Sequence, residues 1–136
     1  MVISDVLRAK YPGVVAWPFG DSPELADELA ALVIHGQKRA SCSSLNSFMQ
    51  EGIKPEIGGY SIVLDGKNVP VCVIRTISMQ LVRFCDVTPA IAAAEGEGDL
   101  SLAFWQREHQ AYFTREGFFS PEMELIFEEF ILIEVL

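Results

Sequence analysis

The chain has 136 residues, half of them hydrophobic and about a fifth charged, which suits one folded domain and is too small for two good cores. Ten basic and nineteen acidic residues give a net charge of −9, which argues against tight, sequence-blind binding of a polyanion. The longest apolar runs fall far short of the ~20 residues of a membrane span, and the first residues lack the basic start of a secretory signal. We therefore expect one cytoplasmic domain over residues 1–136, without membrane attachment.

Two local features refine this picture. The three cysteines, Cys42, Cys72 and Cys85, are odd in number and widely spaced, which argues against a disulfide framework and a CxxC metal site. Between residues 36 and 84, six basic residues outnumber three acidic ones. This reversal is compatible with a cleft for a small or singly anionic ligand, or with basic residues scattered over a solvated surface. We predict no metal and no cofactor, and the sequence leaves the oligomeric state unknown.

The predicted elements begin with helices. Residues 4–11 form a short helix that ends before Pro12, so residues 1–14 read as an N-terminal helical extension. An extended arm over residues 17–20 follows. A second helix begins at Ser22, has Pro23 in its first turn and ends at Gly36, because leucines recur at helical spacing between these residues.

Strands dominate the rest of the chain. A short polar strand or turn, two strands of a hairpin and a final strand are predicted at residues 38–44, 60–64, 69–83 and 123–135. Helices are predicted between them at residues 45–50, 88–96 and 100–116, the last capped by Asp99. The final strand slips out of alternation at Glu128 and Glu129, which indicates a bulge there. The pattern predicts an α+β fold built on a small mixed or antiparallel β-barrel with flanking helices.

Lys38 and Ser41 follow the glycine that ends the second helix. Residues three apart on an extended segment point to opposite faces, so these two side chains can meet only if the segment turns. If they meet, a lysine removed from water has a lowered pKa and can accept a proton from a hydroxyl. From the spacing alone, an exposed lysine and an ordinary strand serine explain the segment better.

The segment from Glu95 to Asp99 alternates three carboxylates with glycines. Crowded carboxylates raise one another's pKa, and glycine lets a ligand approach the backbone, so the loop suits a general acid or base. A role as helix cap explains Asp99. Glu97 has no evident capping or packing duty.

The following helix has an aromatic face that contains Trp105 and His109. Such a face usually belongs to the core, although it could also stack on a nucleobase. Arg75 interrupts an apolar strand and therefore needs an anionic partner, either a carboxylate or a ligand. We include Tyr60, Arg75, Asp99, Trp105 and His109 as candidate substrate-binding residues.

These segments, in this order, resemble the ASCH domain family, whose fold is similar to the PUA domain. The resembling pieces are Phe19-Gly-Asp-Ser22, Gly36-x-Lys38-x-x-Ser41, Gly59-Tyr60, residues 71–76 and 84–88, Glu95-Gly-Glu-Gly-Asp99 and Trp105-x-x-x-His109-x-x-x-Phe113.

The resemblance implies either chemistry on RNA components or RNA binding. In the small amidohydrolase branch of the family, a lysine, a threonine and a glutamate are catalytic, and they correspond to Lys38, Ser41 and Glu97 here. This chain has serine in place of threonine and a longer N-terminal part. The implied activity is hydrolysis of N4-acetylcytidine or a similar small amide. A ribonuclease, and a non-catalytic RNA-binding module in RNA processing or transcription regulation, are the alternatives, so the expected partner is a small nucleoside or RNA.

Overall fold

A computed structural model describes residues 3–52 and 54–136. The strands are β1 (Val15–Pro18), β2 (Ala40–Ser44), β3 (Tyr60–Leu64), β4 (Pro70–Arg83) and β5 (Glu124–Val135). The helices are α1 (Asp5–Lys10), α2 (Pro23–Ile34), α3 (Leu45–Gln50), α4 (Pro89–Glu95) and α5 (Leu102–Glu116). A short 3-10 turn, Phe84–Asp86, follows β4. The predicted α+β class with flanking helices is confirmed.

The five strands form one curled sheet, a half-barrel with the order β1-β3-β4-β5-β2. Only β1 and β3 run parallel, and the other neighbours are antiparallel. The long strands β4 and β5 form its centre, since they pair over almost their whole lengths. The barrel-like prediction is thus confirmed, with β1 and β2 as the two edges of the sheet.

The bulge near Glu128 and Glu129 lies on the opposite strand from the one predicted. Thr76 pairs with Phe130 and Ser78 pairs with Glu129, so the extra residue is Ile77 of β4. A second shift, between Val73 and Ile74, lies further along the same pair of strands. The side-chain alternation of β5 nevertheless predicted an irregularity at this place in the sheet, because a bulge on either strand changes which side chains face the core.

Helices cover the sheet over separate clusters of buried side chains. α2 packs Leu29 and Val33 against a cluster that includes Ile74 and Phe130. A second cluster joins α4 and α5 to β2 and β5, and its buried members include Ala40, Cys42, Ala92, Trp105, Phe113, Leu125 and Phe127. Residues next to α1 complete a third cluster with β3. The site described below lies at the second cluster, where α4 and α5 meet β2.

Helix ends follow local sequence signals, with one correction. The Ser22 side chain accepts a hydrogen bond from Leu25 N at the start of α2, as predicted. α5 is capped by Ser101, whereas Asp99 was predicted as the cap. Leu100 has a φ of 68°, so the helix cannot begin there. Asp99 instead accepts from Ser101 N at 2.9 Å and supports the true cap. Among the described residues, no helix is long and apolar enough to cross a membrane.

Candidate functional site

The site begins with a close approach between the end of α4 and the residues before β2. Arg39 N donates to Ala94 O at 2.9 Å, and Gln37 Nε2 donates to Gly96 O at 2.8 Å. Gly96 has a φ of 73°, and a Cβ there would lie 2.1 Å from Gln37 O. Only glycine permits this approach, and the approach brings the two carboxylates that flank it to Lys38.

The Lys38 ammonium group is enclosed by oxygen atoms. Its Nζ lies 3.1 Å from Glu95 Oε1 and 2.8 Å from Glu97 Oε2. It also donates to Ala40 O at 2.9 Å and to Glu95 O at 3.3 Å. The Lys38 side chain is 1% exposed. Its charge therefore lies at the C-terminal end of α4, where the unpaired carbonyls of a helix favour a cation.

Glu95 is fixed from its other side by α5. Its Oε2 accepts from Trp105 Nε1 at 2.5 Å and lies 2.9 Å from His109 Nε2. The Trp105 and His109 rings stack, with their centroids 4.1 Å apart. Glu95 is 1% exposed, so each of its oxygens is held by donors from a different part of the chain.

The hydrogen bonds of His109 determine its protonation state. Its Nδ1 faces Trp105 O at 3.0 Å, while its Nε2 faces the Glu95 carboxylate. Both partners only accept hydrogen bonds, so both ring nitrogens must carry a proton. Burial alone would lower the pKa of His109, but the charge and hydrogen bond of Glu95 raise it above its ordinary value. His109 is thus an imidazolium at the site.

The same charges keep Lys38 protonated. Burial alone would lower its pKa, as expected for a lysine removed from water, but the charges of Glu95 and Glu97 raise it above its ordinary value. Burial would raise the pKa of Glu95, yet His109 and Lys38 lower it. The expectation that Lys38 acts as a resting base is therefore corrected. It is an ammonium group inside a cluster of two cations and two carboxylates, here called the charge quartet: Lys38, Glu95, Glu97 and His109.

The quartet is poorly suited to a metal ion. One donor atom each from Glu95, Glu97 and His109 lies within 4.8 Å of the others. However, the Lys38 ammonium already occupies the position of a cation between the two carboxylates. An imidazolium also has no lone pair with which to bind a metal. The arrangement instead presents a fixed ammonium group next to the partly exposed carboxylate of Glu97.

A cavity of about 600 Å³ opens beside the quartet, a size typical of small-molecule sites. Lys38, Ser41 and Glu97 all line it, and so does His109. The three residues matched to a catalytic set are therefore brought to one concave surface. Among the described residues, the hydrogen bonds of Lys38 Nζ go to oxygens other than Ser41 Oγ.

Other candidate residues lie elsewhere. Tyr60 and Arg75 are cross-strand partners, with the Arg75 guanidinium 5.1 Å from the Tyr60 ring centre, and Arg75 donates to Gly58 O. Neither lines the cavity, and the same is true of Asp99 and Trp105. Trp105 is 2% exposed, so its ring belongs to the core and its contribution to the site is the hydrogen bond to Glu95.

Glu95 was predicted only as one of three carboxylates in the loop from Glu95 to Asp99, and no individual role was assigned to it. It reads as the last residue of an alanine-rich helix, and a carboxylate at a helix C-terminus is electrostatically unfavourable. This unfavourable placement was the feature of the sequence that could have indicated a special role for Glu95, since such a carboxylate needs cations nearby. The cations come from residues 38 and 109, which no local pattern connects to position 95.

Two buried polar atoms at the cavity lack hydrogen-bond partners among the described residues. They are Trp17 Nε1 and Glu116 Oε1, and both residues line the cavity. An unpaired buried polar group is costly. A donor and an acceptor are thus available to a bound ligand.

Comparison with known proteins gives a consistent result. A sequence model of the ASCH domain matches residues 15–134. An ASCH domain structure from Lactobacillus crispatus JV V101 has a TM-score of 0.83 and 34% identity, and the match covers 96% of this chain and 86% of that one. A protein from Enterococcus faecalis V583 has a TM-score of 0.79 and 35% identity over 88% of this chain and 76% of its own.

A Zymomonas mobilis ASCH protein, crystallised as a serine-to-alanine variant, has a TM-score of 0.53 and 10% identity, over 90% of this chain and 71% of that one. At that identity the likeness concerns the fold alone. No curated protein sequence matches the chain.

Proposed function

Because the chain belongs to the ASCH domain family, we propose that its cavity is the active site of a hydrolase that cleaves a small amide, with an N4-acylated cytidine as the first substrate to test. The observation that carries the proposal is the buried Lys38 ammonium beside the partly exposed Glu97 carboxylate, on the wall of a cavity of small-molecule size. Amide hydrolysis needs a group that stabilises negative charge on oxygen and a group that moves a proton.

Lys38 supplies the group that stabilises negative charge on oxygen. Its ammonium group is held in place by four oxygen contacts, so little reorganisation is needed when negative charge develops on the substrate carbonyl oxygen. A fixed cation in a water-poor site stabilises such charge far better than a solvated one. In this proposal Lys38 stays protonated and stabilises the oxyanion through its positive charge, because its three N–H groups are already donated to protein oxygens.

Glu97 supplies the group that moves a proton. Its side chain is 20% exposed, so a substrate in the cavity can reach it. Glu97 accepts the proton of the attacking hydroxyl as the new C–O bond forms, and passes it to the departing nitrogen as the amide C–N bond breaks. Where Ser41 attacks, a water molecule then hydrolyses the acyl-enzyme, which releases the carboxylate and restores the Ser41 hydroxyl. Ser41 is the attacking hydroxyl or positions the attacking water, and its place on the cavity wall allows either role.

The charge of the cavity favours this proposal over a ribonuclease or an RNA-binding module. Seven glutamates line the cavity, together with three basic residues. A phosphodiester backbone would be repelled by that surplus of carboxylates. A small amide with no phosphate avoids the repulsion.

The experiment measures acetate and cytidine released from N4-acetylcytidine. Glu97→Gln should lower kcat/KM by about 10²–10⁴-fold, the usual contribution of a general acid or base. Glu24→Gln, on the exposed face of α2, is the matched control and should retain the wild-type rate. Equal rates for wild type and Glu97→Gln, or no release from any small amide by the folded protein, would refute the proposal.

Ser41→Ala separates the two roles of the hydroxyl. If Ser41 attacks the carbonyl, its substitution abolishes turnover, and mass spectrometry of the wild-type protein during turnover detects an acyl group on Ser41. If Ser41 positions water, the variant retains part of the rate and no acyl-enzyme forms.

A further inference from the structure

Glu128 is a buried carboxyl group that lines the cavity and takes no part in the charge quartet. It lies on β5 and is 5% exposed. Thr76 Oγ1 donates to its Oε2 at 2.6 Å, whereas its Oε1 accepts no hydrogen bond from the described residues. In the same part of the chain, no Lys, Arg or His nitrogen lies within 4.0 Å of the carboxyl group. A buried oxygen without a donor is costly, so a ligand in the cavity is expected to supply one.

The register of the sheet places Glu128 next to Ser41. The strands β2 and β5 are antiparallel, and Ser41 is directly opposite Glu128. Directly opposed residues share one face of a sheet, with Cβ atoms about 4.5–5.5 Å apart. The carboxyl group of Glu128 is held by Thr76, which lies on β4, on the other side of β5 from Ser41. Among the described residues, no hydrogen bond joins it to the Ser41 hydroxyl, so a small group of a ligand can lie between the two side chains.

The Lys38 ammonium is fixed to the backbone beside Ser41. Its Nζ donates at 2.9 Å to the carbonyl of Ala40, the residue before Ser41. Three groups of different chemistry therefore lie near one point of the cavity wall: a hydroxyl, a cation and a carboxyl group with a free oxygen. A secondary amide has three matching parts, which are a carbon open to attack, an oxygen that gains negative charge and an N–H donor.

We propose that Glu128 Oε1 accepts a hydrogen bond from the N–H of the scissile amide, so that the cavity selects secondary amides over tertiary amides. This inference rests on the proposed function, in which the carbonyl oxygen lies near Lys38 and the carbonyl carbon lies near Ser41. The N–H is the part of the amide that those two residues leave without a partner, and an ionised carboxylate is a strong acceptor for it. Glu128 moves no proton in this arrangement. It binds the substrate and orients the nitrogen that Glu97 protonates.

The preference for a secondary amide should depend on pH. Burial raises the pKa of Glu128 above its ordinary 4.5, and the charge of Glu51, which follows α3, adds to this rise. The hydrogen bond from Thr76 on β4 and the charge of Lys38, which precedes β2, oppose it. A protonated carboxyl group can present an O–H donor to the substrate N–H. The preference should therefore weaken as the pH falls through the raised pKa, and the ratio of kcat/KM for two substrates measures it free of the pH dependence of their shared chemical step.

The test compares N4-acetylcytidine with N4-acetyl-N4-methylcytidine, in which a methyl group replaces the amide hydrogen. Wild type should have at least ~10-fold higher kcat/KM for the secondary amide, the usual weight of a hydrogen bond to a charged group. Glu128→Gln keeps the shape of the side chain, and with its carbonyl held by Thr76 it presents an NH2 donor to the substrate N–H. It should lower kcat/KM for N4-acetylcytidine by at least ~10-fold and change that of the methylated compound little. The matched control, Glu24→Gln, should retain both wild-type values.

A purely structural role of Glu128 gives a different result. Equal losses on the two substrates in Glu128→Gln, or equal kcat/KM for the two substrates in wild type, would overturn the inference. Thr76→Val is the second variant if Glu128→Gln fails to fold, because it releases the carboxylate from its fixed position. It should reduce the preference for the secondary amide, and an unchanged preference would count against the assignment.

Binding measurements separate this inference from the proposed hydrolase. If wild type cleaves neither compound, the hydrolase fails, and calorimetry then compares their affinities. Binding of N4-acetylcytidine that is at least ~10-fold tighter in wild type, with this difference lost in Glu128→Gln, would support Glu128 as the N–H acceptor. Equal affinities without cleavage would overturn both proposals. If wild type cleaves both compounds at equal rates, the hydrolase stands and the role of Glu128 is refuted.

Discussion

The substitution Gly96→Ala tests whether the close approach at the end of α4 builds the site. Gly96 has a φ of 73°, and a new Cβ would lie 2.1 Å from Gln37 O and 2.8 Å from Lys38 Cα. The left-handed conformation costs alanine about 1–2 kcal/mol. The carbonyl contact must also open by roughly 1 Å in a packed region, an overpacking that costs about 1–3 kcal/mol more. The free energy of unfolding should therefore fall by about 2–5 kcal/mol.

Gly36→Ala is the matched control. Gly36 has a φ of 77°, and a Cβ there would meet nothing within 4 Å, so it should lose only the 1–2 kcal/mol of the backbone conformation. Urea unfolding of both variants measures the difference. If Gly96→Ala and Gly36→Ala lose the same free energy of unfolding, the contact with Gln37 does not add to the destabilisation and the reasoning is refuted. A shift of Lys38 by about 1 Å should also lower activity by roughly 10²-fold, whereas Gly36→Ala should remain active.

Three further predictions concern buried charges and thiols. Glu95→Gln leaves two cations without their shared carboxylate and should cost about 3–5 kcal/mol in urea unfolding, whereas Glu24→Gln should change little; a loss below 1 kcal/mol would contradict the ion-pair geometry. His109 has a raised pKa, so the protonated ring contributes fully to the free energy of unfolding below pH 6.5, and this contribution is lost as the pH rises through the folded-state pKa. Urea unfolding measured from pH 5 to 9 should show this loss in wild type and not in His109→Gln. Cys85 is the exposed cysteine and should account for the one fast-reacting thiol in a thiol titration, absent in Cys85→Ser; rapid reaction of all three would show that the other two are accessible.

Local signals predicted most of the fold. Ser22 and Gly36 identified the ends of α2, and the turn between β3 and β4 identified the hairpin, because caps and turns depend on adjacent residues. The cap of α5 was misplaced because Asp99 and Ser101 are both good capping residues. The positive φ of Leu100 decides between them, and leucine itself gives no sign of that conformation in the sequence.

The site was predicted less completely. The family resemblance connected Lys38, Ser41 and Glu97, and these residues do line one cavity. The protonation of Lys38 could not be predicted from a lysine and a serine alone, because it depends on Glu95, whose position depends on how α4 ends against residues 37–39. Glu128 was predicted as part of a bulge in the final strand, and its burial and its hydrogen bond from Thr76 depend on β4, which is distant in sequence.

The charge quartet has a consequence for how this site can change during evolution. Lys38, Glu95, Glu97 and His109 balance one another in a region where a single unpaired charge is costly. A variant in which one member is replaced is therefore destabilised. Such a substitution is retained in evolution only if a second substitution restores the balance of charge. Positions 38, 95 and 109 should consequently change together across natural ASCH sequences. A lineage that lost the lysine should have lost the buried glutamate with it.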